Sequence, residues 1–344
     1  MVSGLVVLGG AAVARAANDW GMGESNARIP QASVFSPVST PADEVQSLAF
    51  FVLAVTGVIF VIVAGLLVYG VARFRARAGD EMREPAQVYG SNPVELAWTM
   101  VPLLIVIVLI LVTGRTIYTI QAAVRPPGAL SVHVIGHQWW WEFRYPDLGI
   151  VTANELHVPV SDPADPTPTY LQLQSADVAH SFWVPRLAGK TDLIPNKTNV
   201  MWIDPREPGT YLGQCAEFCG TQHAFMLLRV VVHPKAEFAA WAEAQRRPAA
   251  QDPAVARGRQ VFEQTACISC HAVQGTVADG RFGPDLTHLM SRETLGAGVA
   301  LNTAEHLKVW VTDPSVMKPG ALMPAMQLEP PDLDALVAYL ATLH

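Results

Sequence analysis

The sequence predicts a multidomain membrane protein made of a two-helix transmembrane hairpin, an all-β Greek-key sandwich and a small all-α unit. Three observations predict it: two long uncharged apolar runs, a switch to short alternating segments beyond Pro126, and helical periodicity at both ends of residues 254–344. Composition agrees. Hydrophobic residues make up 51% of the chain and charged ones 15%, well below the roughly 25% charge of an average soluble domain. The 344 residues allow two or three units of about 100 to 200 residues, each large enough for its own core. The net charge of −7 is spread along the chain with no basic face, which argues against nucleic-acid binding.

Residues 1–17 hold an apolar run from Leu5 to Val13 followed by Ala14-Arg15-Ala16-Ala17, the small-residue pattern of a secretory signal without its usual basic start. Residues 18–124 carry the hairpin. Leu48 to Ala72 is 25 residues without a charge and Leu96 to Gly114 is another 19. At about 1.5 Å rise per residue each run crosses a hydrocarbon core of about 30 Å. Spans at about 48–72 and 96–114 follow. A pair of buried core helices is the competing reading, but uncharged runs this long and this rich in Val, Leu, Ile and Phe are unusual there. The loop between them carries Arg73, Arg75, Arg77 and Arg83, whereas the preceding flank has Arg28 with the acids Asp43 and Glu44. The positive-inside rule makes that loop cytoplasmic. The N-terminus and everything beyond Arg115 are then expected on the outer, periplasmic side of the plasma (inner) membrane.

Residues 125–245 read as the sandwich. Ser131 to Ile135, Trp139 to Tyr145, Glu155 to Val160, Tyr170 to Leu173, Asn199 to Ile203, Tyr211 to Gln214 and Phe225 to Val232 alternate, separated by Pro- and Gly-rich turns such as 161–168 and 205–209. Many short strands so punctuated predict a Greek-key sandwich or barrel. A helix-like stretch at 237–245 precedes a Pro- and Ala-containing linker, 246–253. In 254–344, Val255, Gly258 and Phe262 before the cysteines, and Leu333, Leu336, Val337 and Leu340 at the end, follow helical spacing. Pro330-Pro331-Asp332 makes a good helix start.

The chemistry lies in two cysteine pairs. Cys267-Ile268-Ser269-Cys270-His271 is C-x-x-C-H, in which two thiols can add to haem vinyl groups while the adjacent imidazole is held beneath the iron. A redox disulfide or half a zinc site would leave His271 unused. A thioether opposite the histidine gives a closed, relatively high-potential haem. Met323, in Leu322-Met323-Pro324, is the preferred sixth ligand, with Met317 and Met326 as competitors. The second pair lies in Cys215-Ala216-Glu217-Phe218-Cys219-Gly220-Thr221-Gln222-His223-Ala224-Phe225-Met226, where two thiols, an imidazole and a thioether fall together. Such soft ligands suit copper. A single blue-copper ion needs one thiolate, two imidazoles and an axial thioether, so the extra cysteine points to two sulfurs bridging two copper ions. His180 is the best candidate for the remaining imidazole. A Cys215–Cys219 disulfide is the alternative in an exported domain, but leaves His223 and Met226 unexplained.

Residues from about 40 to 344 closely resemble subunit II of the haem–copper cytochrome c oxidases, in the variant with a C-terminal cytochrome c. The resemblance implies a cupredoxin-like sandwich and a class I cytochrome c domain, the latter carried by Gly258, Phe262, Gly283-Pro284 and Tyr339. It implies a binuclear CuA centre bridged by Cys215 and Cys219 and completed by His180, His223, Met226 and the backbone carbonyl of Glu217. Every ligand position is filled, unlike in the quinol-oxidising relatives. The Glu217 carboxylate is expected to reach a magnesium ion shared with subunit I. In Gly136-His137-Gln138-Trp139-Trp140-Trp141, the resemblance places Trp139 on the electron input route into CuA, while Trp140 and Trp141 read equally well as core or interface packing. Glu95, at the cytoplasmic edge of the second span, reads as an acid solvated at the interface or, as the resemblance implies, as a proton entry position leading into subunit I, consistent with acids marking proton routes. The remaining histidines, including His133, His137, His157, His233, His288, His306 and His344, read as structural or surface residues.

The function these readings imply is electron input to a respiratory terminal oxidase. An external donor, a cytochrome c or an upstream respiratory complex, feeds haem c, then CuA, then subunit I, where oxygen is reduced to water with proton pumping. Subunit III is the other expected partner. The enzyme label belongs to the complex, because this chain holds no oxygen-reducing site. The short linker is expected to give the tethered haem domain an effective concentration near the millimolar range. A stand-alone membrane-tethered electron carrier or copper-binding module is the rival reading. The copper domain of a nitrous oxide reductase is a second, disfavoured by the hairpin and the C-terminal cytochrome.

Overall fold

The computed structural model describes residues 20–27, 29–75, 87, 89–121, 125, 127–164 and 166–344. The signal-like segment 1–17, Arg28, Arg77 and Arg83 lie outside them. The chain divides into two compact units, one of Asp43–Val124 and the other joining Met1–Ala42 to Arg125–His344. The first unit holds two long helices, α2 (Thr40–Arg73) and α3 (Asn92–Gln121), preceded in sequence by the short α1 (Met22–Ala27). Both long helices contain apolar windows of mean hydropathy 3.0 and 2.7, with none of either window buried by protein. Side chains such as Phe60, Leu67 and Leu111 are therefore exposed, an arrangement that only a hydrocarbon solvent makes favourable.

In the second unit ten strands form two five-stranded sheets. Strands β1 (Ser131–His137), β2 (Trp140–Tyr145), β3 (Ile150–Ala153), β5 (Thr169–Ser175) and β8 (Asn199–Ile203) are ordered β3-β2-β1-β5-β8. Strands β4 (Glu155–Pro159), β6 (His180–Trp183), β7 (Thr191–Leu193), β9 (Gly209–Cys215) and β10 (Leu227–His233) are ordered β4-β10-β9-β6-β7. Each sheet contains one parallel pair, β1 with β5 and β4 with β10, among antiparallel ones. Sequence neighbours thus cross between sheets, as a Greek key requires. The facing side chains Val132, Val134, Trp141, Phe143, Leu156, Leu171, Leu173, Phe182 and Val230 are wholly buried between the sheets.

At one end of the sandwich, helix α4 (Lys235–Gln245) presents Trp241 to His157, the rings stacked at 4.4 Å and 10°. His157 Nδ1 lies 2.8 Å from His233 Nε2. Burial lowers the His157 pKa from 6.5 to about 3, so the ring is neutral in the fold and protonates more easily in the unfolded chain. Such a depressed histidine contributes its full stability above pH 6.5 and loses it progressively as pH falls toward 3. Between pH 7 and pH 5 the sandwich is expected to lose about 2 kcal/mol from this residue. Urea unfolding of His157→Phe beside the parent checks this: the variant's pH dependence over that window should be flatter by that amount, and an identical slope would refute it.

The mainly helical part follows, with one short antiparallel pair, Thr294–Leu295 with Ala300–Leu301. Helices α5 (Ala256–Gln264), α6 (Cys267–Cys270), α7 (Ala304–Thr312) and α8 (Pro330–Leu340) surround a core of Val261, Phe262, Leu307, Leu336 and Tyr339. Within the 246–253 segment, Arg246 Nε donates to Leu148 O at 3.0 Å and Ala249 N to Gln274 O at 3.0 Å. The buried Glu155 carboxylate of the sandwich accepts from Glu293 N, Thr294 N and Thr294 Oγ1 at 3.1, 2.9 and 3.0 Å. Arg229, also buried, pairs with Glu293 and reaches Asn26 Oδ1 at 2.8 Å. The intramolecular encounter expected of the short linker takes the form here of a hydrogen-bonded contact between the two parts. Buried polar groups on both faces are satisfied only when the faces meet.

Candidate metal and redox centres

Strand β9 ends at Cys215, and the loop from there to β10 carries the remaining sulfur ligands. Its shape is set by main-chain bonds, with Cys215 N donating to Met226 O at 2.9 Å and Ala216 N to Ser181 O at 2.9 Å on β6. These bonds bring His180, at the start of β6, against the loop. Gly136 on β1 leaves room for that ring, since a Cβ there would stand 2.8 Å from His180 Cδ2. The donor atoms converge. Cys215 Sγ lies 3.8 Å from Cys219 Sγ, 3.9 Å from His180 Nδ1 and 3.2 Å from Glu217 O. Cys219 Sγ lies 3.6 Å from His223 Nδ1 and 3.8 Å from Met226 Sδ.

This donor set fits copper. The sulfur separation of 3.8 Å is far beyond a disulfide of about 2.05 Å and within the span of two thiolates sharing a metal at about 2.3 Å from each. The disulfide alternative is absent, since both cysteines are free. His180, Cys215 and Cys219 place one ligand atom each within 4.8 Å of the others, while His223 and Met226 approach from the Cys219 side. The paired thiols, with His180 beside them, hold Cys215 well below its usual value and push Cys219 up. One thiolate is thus already favoured before any metal binds, and thiolates are the metal-binding form. Burial lowers the His180 pKa, but hydrogen bonds from its ring to Asp177 Oδ1, at 2.8 Å, and to Cys215 outweigh it and raise the value. Asp177 binds Nε2 and so orients Nδ1 toward the sulfurs, the usual arrangement behind a metal-ligating histidine. The Glu217 carboxylate points elsewhere: it is half exposed and lies 3.6 Å from Lys190 Nζ.

The second cysteine pair lines a cavity of about 370 Å³ together with His271, Pro284, Trp310, Met323 and Met326. His271 Nδ1 lies 2.8 Å from Pro284 O, which leaves Nε2 as the free ring nitrogen. Burial lowers the His271 pKa, keeping the imidazole neutral, as a ligand must be. Gly283 lies against that ring so closely that a Cβ would sit 2.6 Å from His271 Cε1. Arg292 also lines the cavity, and its buried Nε has no protein partner. An apolar cavity with two thiols, a neutral imidazole and one unpaired cationic donor fits a haem with acidic side groups. Among the candidate thioethers, Met323 and Met326 line the cavity, whereas Met317 is buried in the domain core.

Trp139 links the two sites. Its Nε1 donates to Cys219 O at 2.9 Å, Gln138 Nε2 donates to the same oxygen at 2.7 Å, and both residues line the haem-sized cavity. Trp140 stacks on His137 at 4.2 Å and also faces the cavity, while Trp141 is wholly buried in the sandwich core. Glu95 is on α3 in the other unit, exposed, with Oε1 accepting from Ser91 N at 3.1 Å at the helix start. Sequence reasoning missed Lys318, Arg292 and Gln222. Lys318 is 3% exposed and its pKa is lowered by burial to about 7; no spacing rule marks a lysine whose partners are backbone carbonyls.

Three family models match parts of the chain: "Cytochrome C oxidase subunit II, transmembrane domain" at residues 28–113, "Cytochrome C oxidase subunit II, periplasmic domain" at 163–233 and "Cytochrome c" at 255–344. The chain is 35% identical over 298 residues to cytochrome c oxidase subunit 2 of Alkalihalophilus pseudofirmus, spanning 85% of this chain and 84% of that protein. It is 32% identical over 336 residues to the protein of the same name from Bacillus subtilis, spanning 91% and 92%. Among solved structures, the periplasmic domain of subunit II of cytochrome oxidase from Bradyrhizobium japonicum is 32% identical, covering 36% of this chain and 97% of that one with a TM-score of 0.33.

Proposed function

The chain belongs to the cytochrome c oxidase subunit II family, and on that premise we propose that it is the electron-input subunit of a proton-pumping respiratory terminal oxidase. It takes electrons from a donor outside the membrane, a cytochrome c or an upstream respiratory complex, and delivers them to an oxygen-reducing subunit I. One observation carries the reading: Trp139 donates to the carbonyl of Cys219, whose sulfur lies within 4 Å of donor atoms of Cys215, His223 and Met226, and it also lines the C-x-x-C-H cavity. When bound, a covalent haem c and a binuclear CuA supply one-electron redox chemistry.

The chain's own residues do the rest. Cys267, Cys270, His271 and Met323 would hold the haem, and Cys215 and Cys219 would hold the copper ions. His180, His223, Met226 and the Glu217 carbonyl would hold the copper ions with them. Trp139, hydrogen-bonded to the carbonyl of one bridging residue, is the electron input group. The Glu217 carboxylate, half exposed, is available to a magnesium ion shared with subunit I; magnesium needs several oxygens, so subunit I would supply others. Subunits I and III cover the lipid-length helices, and the redox domains and N-terminus face the periplasm.

Metal and haem analysis of the purified assembly, with paramagnetic resonance, tests this. Two copper ions in a mixed-valence pair and one covalent haem per chain are expected; a single mononuclear copper would overturn the centre. Glu95 has its own test. Glu95→Gln keeps the oxygen that caps Ser91 N–H but cannot carry a proton. Steady-state oxygen consumption is expected to fall roughly tenfold or more, the scale on which positioned proton-transfer groups act. Undiminished consumption would reduce Glu95 to a helix cap.

A further inference from the structure

Lys318 lies in the cytochrome part of the chain, yet its ammonium serves both halves of the second unit. Nζ donates to Trp139 O at 2.8 Å, to Phe225 O at 2.8 Å and to Gly296 O at 2.9 Å. Trp139 is the residue bonded to Cys219 O, Phe225 stands between the copper-ligand candidates His223 and Met226, and Gly296 belongs to the wall of the haem-sized cavity. The neighbours reinforce the contact. Gln222 Nε2 donates to Pro319 O, and the Phe225 ring is packed against the core of the cytochrome domain. The same segment runs on through Gly320 and Ala321 to Leu322 and Met323. A cation buried among three carbonyl oxygens is stable only while all three are aimed at it. The main chains of Trp139, of the copper loop and of the cavity wall are thereby fixed to one point.

We propose that Lys318 is a positioning residue for electron transfer between the haem and copper centres: its ammonium latches the segment leading to Met323 onto the Trp139 and Phe225 backbone. The proposal rests on both centres being present as read above, and it goes beyond that reading by assigning the geometry between them to one side chain. Lys318 exchanges no electron or proton in this role. It sets the distance and orientation of the groups that do.

The test uses the intact detergent-purified oxidase with Lys318→Met, which keeps the length of the side chain and removes its donors, and Lys318→Arg, which keeps a cationic donor. The haem is reduced by a light-triggered donor, and the rise of reduced copper is followed through its near-infrared band. In K318M the transfer should slow about tenfold or more, the order that ångström-scale misplacement of reacting groups costs. The low-spin haem spectrum and the copper resonance should stay at parent values, and K318R, which keeps the charge, should recover part of the rate. A merely structural lysine would leave the rate unchanged in every variant that loads both centres, and that result overturns the proposal. If K318M does not load them, Lys318→Gln, with two N–H donors and no charge, carries the same comparison under the same criteria. A parent enzyme lacking the copper pair or the haem would instead sink the reading of the centres, a failure visible before any variant is made.

Discussion

Cys215→Ser is expected to abolish the binuclear copper signal while leaving the haem c spectrum intact, and to stop donor-driven oxygen consumption. Cys215 is the hub of the ligand set, within 4 Å of Cys219 Sγ, His180 Nδ1 and Glu217 O. Serine preserves the fold around it, because the loop is shaped by main-chain bonds such as Cys215 N to Met226 O. It nevertheless replaces a soft thiolate by a hydroxyl that stays protonated and binds copper poorly. Copper affinity should fall by more than the about 10- to 100-fold that losing a mere supporting residue costs. Asp177→Asn, which alters only the partner of His180 Nε2, should fall within that smaller range. A full binuclear resonance in Cys215→Ser would refute the bridging role.

The second large effect concerns the haem. Met323→Ala should convert a low-spin haem to a high-spin or ligand-exchanging one and lower its reduction potential, while the copper signal persists. The three methionines are separable by position. Met326 lines the same cavity, so Met326→Ala tests the competing ligand directly; an unchanged spectrum in Met323→Ala with a lost low-spin state in Met326→Ala would move the assignment. Met317 is 2% exposed in the domain core. Met317→Ala should therefore cost about 2 to 5 kcal/mol of stability without changing the ligand set, which thermal unfolding and the optical spectrum separate.

The copper loop and the C-x-x-C-H turn were legible because their donors lie within one short stretch, and ligand spacing along a chain is a local property. The spans were legible for the same reason, since uncharged length is read directly from composition. His180 could be named only as the best distant imidazole; the main-chain bond from Ala216 to Ser181 is what brings β6 to the loop. Glu95 shows the limit from the other side: only the family resemblance implies a proton role for it, and the structure adds a capping bond that any such role must coexist with.

By itself, then, the sequence determined the two clusters of sulfur and imidazole donors, the strand-rich and helix-rich halves, and the two apolar helices. Only the tertiary structure decided that the haem domain is seated on the copper domain rather than swinging from it, and that Trp139, Lys318 and Phe225 meet at the seam. The physical reason is the nature of the contacts. Ligand chemistry is written in side-chain identity, whereas the seam is made by buried donors such as Lys318, Gln222 and Thr294, several of them aimed at backbone carbonyls, which every residue carries and no sequence pattern distinguishes.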